Sequence, residues 1–284
     1  MPCAKRFGLK ARCGFVVSRA LVILALWTFP ALVNALPRDA RVPGGVAVIS
    51  LQEKSETAPQ VFSNGARAWV TRREASNWSA VVGIALSAKP GIQKITVNGR
   101  EETFTLRDKK YPVQKLTLNK AMVDPPKEVQ ARIERESKHL AGVRSTFSER
   151  TETSADFLLP AQGRLSSRYG VARVLNGQPR SPHAGLDVAV PTGTPITAPA
   201  DGVVLDADDY YFCGKTLFID HSNGLISMHC HLSEFIAKVG ESVKQGQRIA
   251  LSGATGRATG PHLHWSVYLN GVSVEPELFL NAGK

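Results

Sequence analysis

Lys215-Thr216-Leu217-Phe218-Ile219-Asp220-His221-Ser222-Asn223-Gly224-Leu225-Ile226-Ser227-Met228-His229-Cys230 reads as two short apolar runs joined by a polar turn. Asn-Gly between such runs is a strong hairpin signal, because both residues accept the left-handed backbone that a tight turn between strands requires. An antiparallel sheet is therefore predicted for the C-terminal half. Just upstream, residues 196–198 and 202–206 are further strand candidates, set off by turns at Pro191-Thr192-Gly193-Thr194-Pro195 and Ala200-Asp201-Gly202. His221, inside the hairpin connection, reads as a polar turn residue.

Moving outward, the period changes. Asp124 before Pro125 is a helix start signal, and Val129, Ile133, Leu140, Val143 and Phe147 then recur at helical spacing among charged residues, predicting an amphipathic helix. His139 lies on it without a ligand-type neighbour at helical spacing and reads as a surface or interface histidine. Residues 148–155 are polar and read as a linker. Between residues 36 and 120, short apolar runs broken by Gly, Pro and Asn predict a small β-sandwich-like domain, with no catalytic constellation in it. The expected fold is mainly β: an N-terminal accessory domain at 36–120, helix and linker at 121–155, and a C-terminal antiparallel β-sheet domain at 156–284.

The first 35 residues depart from the globular average. Lys5, Arg6, Lys10, Arg12 and Arg19 precede an apolar run ending at Val33-Asn34-Ala35, the pattern of a secretory signal peptide at 1–35 with cleavage after Ala35. A retained anchor is the alternative, disfavoured by the shortness of the run and by Pro30 within it. Export removes Cys3 and Cys13, leaving Cys213 and Cys230, which face each other if the hairpin forms; a disulfide and a pair of small buried apolar residues are both open readings. Of 35 basic and 24 acidic residues, five basic ones leave with the leader, so the mature chain carries 30 against 24, a net +6. A basic exported protein is drawn to anionic wall polymers and membrane surfaces, and the sequence contains no nucleic-acid-reading motif. No stable membrane insertion is expected after cleavage.

The chemistry is concentrated in His183 and Asp187, His229 and His231, and His262 and His264. Residues two or four apart on a strand share a face, so His262 and His264 are expected in one groove, as are His183 and Asp187 if Gly185 does not reverse the chain. The same parity places His229 with His231. Such residues suit a catalytic zinc site, which takes three protein ligands and leaves one position open, with further histidines to accept a proton and to hydrogen-bond an oxyanion. Spacing alone does not say which histidine has which role.

Ser181-Pro182-His183-Ala184-Gly185-Leu186-Asp187, Met228-His229-Cys230-His231-Leu232-Ser233 and Thr259-Gly260-Pro261-His262-Leu263-His264-Trp265 resemble, in order and spacing, the three motifs of lysostaphin-like, LytM-type zinc endopeptidases of family M23. The resemblance runs from about Phe157 to Phe279. It implies an antiparallel peptidase domain with an open groove and one zinc ion per chain. His183, Asp187 and His264 would be its ligands, with His231 and His262 as the two metal-free catalytic histidines. It further implies hydrolysis of peptide cross-links in bacterial peptidoglycan stem peptides, in a Gram-negative envelope the D-Ala to diaminopimelate bond, and a periplasmic or secreted location. A non-catalytic activator of wall amidases, and a secreted peptidase acting on other proteins or rival walls, are the alternatives. The family commonly has Tyr at the position of His229, which is read either as a substrate contact or as a strand residue filling the space of an aromatic. The segment around Val42-Pro43-Gly44-Gly45-Val46 and Trp78-Ser79-Ala80-Val81-Val82-Gly83-Ile84 resembles the accessory domain preceding this peptidase in exported proteobacterial proteins, which suggests either autoinhibition or wall positioning.

Overall fold

The hairpin forms as expected. In the computed structural model, which describes residue 8 and residues 35–74, 77–116, 125–149 and 153–280, strands Gly214–Asp220 and Leu225–Phe235 pair antiparallel. Ser222, Asn223 and Gly224 all take positive φ in the turn, and Asp220 Oδ1 accepts a 2.7 Å hydrogen bond from the Ser222 amide. His221 is a polar residue at the turn, as expected, and it is buried there: Nδ1 lies 2.8 Å from the Asp201 carbonyl and Nε2 2.8 Å from Ser227 Oγ. The expected leader falls outside the described residues except at positions 8 and 35.

This hairpin is the middle of the main sheet. Ser242–Val243, Gly202–Tyr210, the two hairpin strands, Leu263–Leu269, Leu186–Ala189 and Arg164–Ser167 follow one another across it. Alternation along the strands gives two apolar faces. Leu217, Ile219, Leu225, Trp265 and Val267 belong to the larger core, and Phe218, Ile226, Met228, Cys230 and Tyr268 form a second cluster on the other face. Burial of each large side chain contributes on the order of 2 kcal/mol, so both faces stabilise the sheet.

The helix Gln130–Arg144 closes the second face with Val143, while Leu140 is only partly buried. Its apolar stripe is thus narrower than the sequence suggests, and polar ties supplement it. Arg132 donates to the Asp209 carbonyl at 2.8 Å, Glu136 Oε2 accepts from the Tyr211 amide at 2.8 Å, and His139 Nε2 lies 2.6 Å from Asp206 Oδ2. His139 therefore serves as an interface residue between helix and sheet.

The N-terminal region is sandwich-like. Strands Val46–Ser50, Asn77–Gly83 and Trp69–Glu74 form one sheet; Ala66–Arg67, Val61–Ser63, Gly91–Val97 and Arg100–Leu106 form another. Ala47, Ile49, Val82, Ile95 and Phe104 fill the space between them. Val46, Trp69 and Val81 instead join the core of the C-terminal sheet, so the two regions share apolar surface within one compact unit. Asn270 fastens them further: its Oδ1 accepts from the Gly83 amide at 3.1 Å and its Nδ2 donates to the Arg67 carbonyl at 3.0 Å. A third small sheet runs Gln178–Arg180, Ala172–Leu175, Val113–Leu116, the last pair parallel. Among the described residues no helix is long and apolar enough to cross a membrane.

Candidate metal centre

Neighbouring strands bring the expected ligands together. Asp187 and His264 are register partners across Leu186–Ala189 and Leu263–Leu269, so their side chains emerge on one face. His183 precedes the first of these strands and turns back onto Asp187. His183 Nε2, Asp187 Oδ1 and His264 Nδ1 lie 2.8 to 3.0 Å from one another. Gly185 makes this closure sterically feasible, because a Cβ there would sit 2.6 Å from Ser266 Oγ and the Trp265 carbonyl and 2.7 Å from His264 Cε1.

Each histidine is oriented by its outer nitrogen. His183 Nδ1 lies 2.9 Å from the Arg168 carbonyl and 3.1 Å from Ser167 Oγ, and His264 Nε2 lies 2.9 Å from Ser266 Oγ. His231 Nδ1 is 2.8 Å from the Thr255 carbonyl, and His262 Nδ1 is 2.8 Å from the Gly260 carbonyl. A ring nitrogen facing a carbonyl must carry the proton, so Nε2 is the basic nitrogen of neutral His183, His231 and His262. The His231 and His262 rings lie 4.7 Å apart, and His262 Nε2 is 3.9 Å from Asp187 Oδ1.

Electrostatics match this arrangement. Burial pushes the Asp187 carboxyl up, but hydrogen bonds from His183 and His264 and their charge outweigh it, holding the group well below the ordinary carboxylate range. Burial, reinforced by nearby His264, lowers His231 to about 4, so it is neutral near pH 7. Two imidazole nitrogens and one ionised carboxylate, with the imidazoles fixed from behind, form a donor set well suited to zinc.

His231 reaches this cluster by departing from the pleat. Lys215 pairs with Leu232 and Leu217 with His229, so Thr216 alone opposes both Cys230 and His231, and His231 adopts φ +62°. This is a β-bulge with a left-handed residue, uncommon for a side chain other than glycine or asparagine. The His231 amide donates to the Cys213 carbonyl at 2.9 Å, which anchors the bulge. His229 stays on the regular strand and is fully buried beside the core. The shared parity expected for His229 and His231 is therefore corrected: the bulge turns one into the groove and leaves the other inside, removing His229 as a substrate contact. Cys213 and Cys230 are free thiols.

Trp265, the last residue of the third motif, is fully buried, and Asn176 takes positive φ in the turn between Ala172–Leu175 and Gln178–Arg180. Sequence reading missed Arg173, whose guanidinium lies 3.5 Å from Asp187 Oδ2. The available signal was Asn176-Gly177, a two-residue hairpin turn that sets Arg173 opposite Arg180. A cavity of about 510 Å³ lined by residues 109–114, 165–169 and 171 with Glu275 and Glu277 includes Ser167 and Arg168, the two residues that hold His183 Nδ1.

A groove carrying a His-Asp-His cluster with two further histidines, built on an antiparallel sheet, is the frame of a peptidase. The chain belongs to peptidase family M23: the family's model matches residues 181–276, and that of the family's N-terminal domain matches residues 39–122. A crystal structure from Pseudomonas aeruginosa, described as an M23 peptidase, is 42% identical, with a TM-score of 0.71 over 85% of this chain and 95% of that one. Among curated relatives, the peptidoglycan DD-endopeptidases ShyC and ShyA of Vibrio cholerae serotype O1 are 44% and 41% identical over 115 and 109 residues. Those alignments cover 40% and 38% of this chain but only 26% and 25% of the relatives.

Proposed function

We propose that the chain is a zinc-dependent endopeptidase that hydrolyses peptide cross-links of bacterial peptidoglycan on the periplasmic side of the envelope. The observation that carries this reading is the convergence of His183 Nε2, Asp187 Oδ1 and His264 Nδ1, with His231 and His262 beside them. Relatives of 41–44% identity named as peptidoglycan DD-endopeptidases support the substrate class. The leader at 1–35 is the basis for export.

In this reading His183, Asp187 and His264 hold one zinc ion. Zinc in such a site supplies Lewis-acid chemistry and activates water near neutral pH. His231, kept neutral by burial and held at Nδ1 by Thr255, offers Nε2 as a proton acceptor. His262, held at Nδ1 by Gly260, has Nε2 at the edge of the cluster, placed to hydrogen-bond the oxyanion of the tetrahedral intermediate once protonated. Residues 156–284 form the peptidase domain, and 36–120 an accessory domain that positions it.

The experiment is mass spectrometry of cross-linked muropeptides incubated with zinc-loaded residues 36–284. Conversion of dimers to monomers, abolished by chelator and by Asp187→Ala, is expected. Intact dimers in the presence of folded, zinc-containing protein would rule the reading out.

A further inference from the structure

The bulge that carries His231 is gripped from a neighbouring loop. Thr255, in that loop, meets it at two consecutive positions: the Thr255 carbonyl lies 2.8 Å from His231 Nδ1, and the Thr255 hydroxyl donates to the Leu232 carbonyl at 2.8 Å. The same hydroxyl accepts from the Lys215 amide at 2.9 Å. Lys215 and Leu232 are the register pair on which the two hairpin strands meet again beyond the bulge. One hydroxyl thus bridges both strands at the edge of the irregularity, while the carbonyl of the same residue receives the imidazole that the irregularity turns outward.

The close approach of this loop is built into the backbone on both sides. Gly214 and Gly256 take φ of +60° and +69°. A Cβ on Gly214 would sit 2.3 Å from the Thr255 carbonyl carbon and from Thr255 Oγ1, and one on Gly256 would sit 2.2 Å from the Gly214 amide nitrogen. Neither obstacle is the far end of a long side chain, so glycine at both positions is what admits the contact. On either side of this glycine pair the Arg257 amide donates to the Phe212 carbonyl at 2.9 Å, and the Thr216 hydroxyl donates to the Gly214 carbonyl at 2.9 Å. A hydroxyl both donates and accepts, which is what the bridge between Lys215 and Leu232 requires; valine has nearly the same shape and can do neither.

We infer that Thr255 is a positioning residue for the peptidase chemistry: its hydroxyl locks the bulge, so that its carbonyl holds His231 with Nδ1 protonated and Nε2 free to accept a proton. Thr255 acts only through His231. Misplacing a reacting group by about 1 Å costs up to about a hundredfold in rate, so the lock matters more to turnover than to folding. The inference rests on the endopeptidase reading for its effect on rate, while the state of His231 is measurable without turnover.

The test is proton–nitrogen NMR of the imidazole rings in the metal-free full chain at neutral pH, followed by turnover of cross-linked muropeptides by the zinc-loaded chain. The His231 Nδ1–H resonance, assigned by its absence from His231→Gln, should be sharp in the native chain, because the ring is buried and its proton is held by a carbonyl. In Thr255→Val that resonance should broaden beyond detection, and kcat should fall about tenfold to a hundredfold with KM unchanged. Zinc content should stay at the native level, and the melting temperature should drop by only about 2–4 °C, the cost of a net hydrogen bond in a chain of this size. Thr255→Ser keeps the hydroxyl and should recover the resonance and most of kcat. A native resonance in Thr255→Val, or a kcat loss that Thr255→Ser fails to recover, would overturn the assignment. If the resonance responds as expected but the zinc-loaded native chain leaves cross-linked dimers intact, the lock stands and the endopeptidase reading fails. Native turnover that Thr255→Val leaves undiminished sinks the lock alone.

Discussion

His229 and Trp265 lie directly opposite each other on adjacent strands, and each buries a ring nitrogen, Nε2 and Nε1, that meets no protein partner among the described residues. A polar pair has thus been drawn into an apolar sheet face by strand register. His229 keeps one contact, a 3.3 Å approach of Nδ1 to the Leu217 carbonyl. Burial, with a smaller push from His221, lowers its pKa to about 3 against the raising effect of that carbonyl.

That depression makes stability depend on pH. The unfolded chain takes up a proton below about pH 6.5, while the native imidazole resists until about 3, so the stabilisation is complete above 6.5 and lost as pH falls towards 3. At about pH 4.5 the loss is on the order of 2 kcal/mol. His229→Phe should show a shallower decline in melting temperature between neutral and acidic pH than the native chain. Parallel declines would show that His229 does not carry the effect.

Gly185→Ala should damage the metal centre without touching a ligand. The added methyl meets the Trp265 carbonyl, which cannot swing away, and Ser266 Oγ, which orients His264. Stability should fall by about 1–3 kcal/mol and zinc affinity by roughly tenfold to a hundredfold. Denaturant melts and competition with a chromophoric chelator would measure the two separately.

Asn270→Ala removes both hydrogen bonds that link the C-terminal sheet to Gly83 and Arg67, at a residue whose φ of +54° suits asparagine better than alanine. A loss of about 1–3 kcal/mol is expected, with one unfolding transition displaced as a whole. A new early transition confined to the N-terminal sheets would show that the shared core around Trp69 does not couple the regions.

His262→Ala and Asp187→Ala should separate chemistry from metal binding. The first should retain zinc and lose about 10²- to 10⁴-fold in hydrolysis, the range for a lost proton-transfer or oxyanion group. The second should lose zinc as well. Metal analysis alongside turnover distinguishes them, and loss of zinc from His262→Ala would place that residue among the ligands instead.

Much of this architecture is legible in the residues. The Asn223-Gly224 hairpin and the strands beside it announce themselves by local pattern, and the motifs containing His183, Asp187 and His264 lead to one cluster because register does the rest. What was illegible depends on distant partners. Alternation assigns His231 to the face of His229, and the bulge opposite Thr216 reverses that assignment. Trp69 and Val81 belong to a core formed by strands more than a hundred residues away, which no local period encodes. The opposition of Arg173 and Arg180 becomes visible only once the turn at Asn176-Gly177 fixes the register.

The backbone reversal at His231 also divides one strand into two territories of heredity. Up to Cys230, substitutions are judged by how well they fill the interior. At His231 they are judged by what faces the His-Asp-His cluster, because the left-handed residue has stepped out of the pleat. A change of side chain in the first territory, as at the buried His229, is thereby insulated from the second. A single-residue insertion just before the kink would erase that boundary, turning an otherwise intact set of motifs into an inert scaffold.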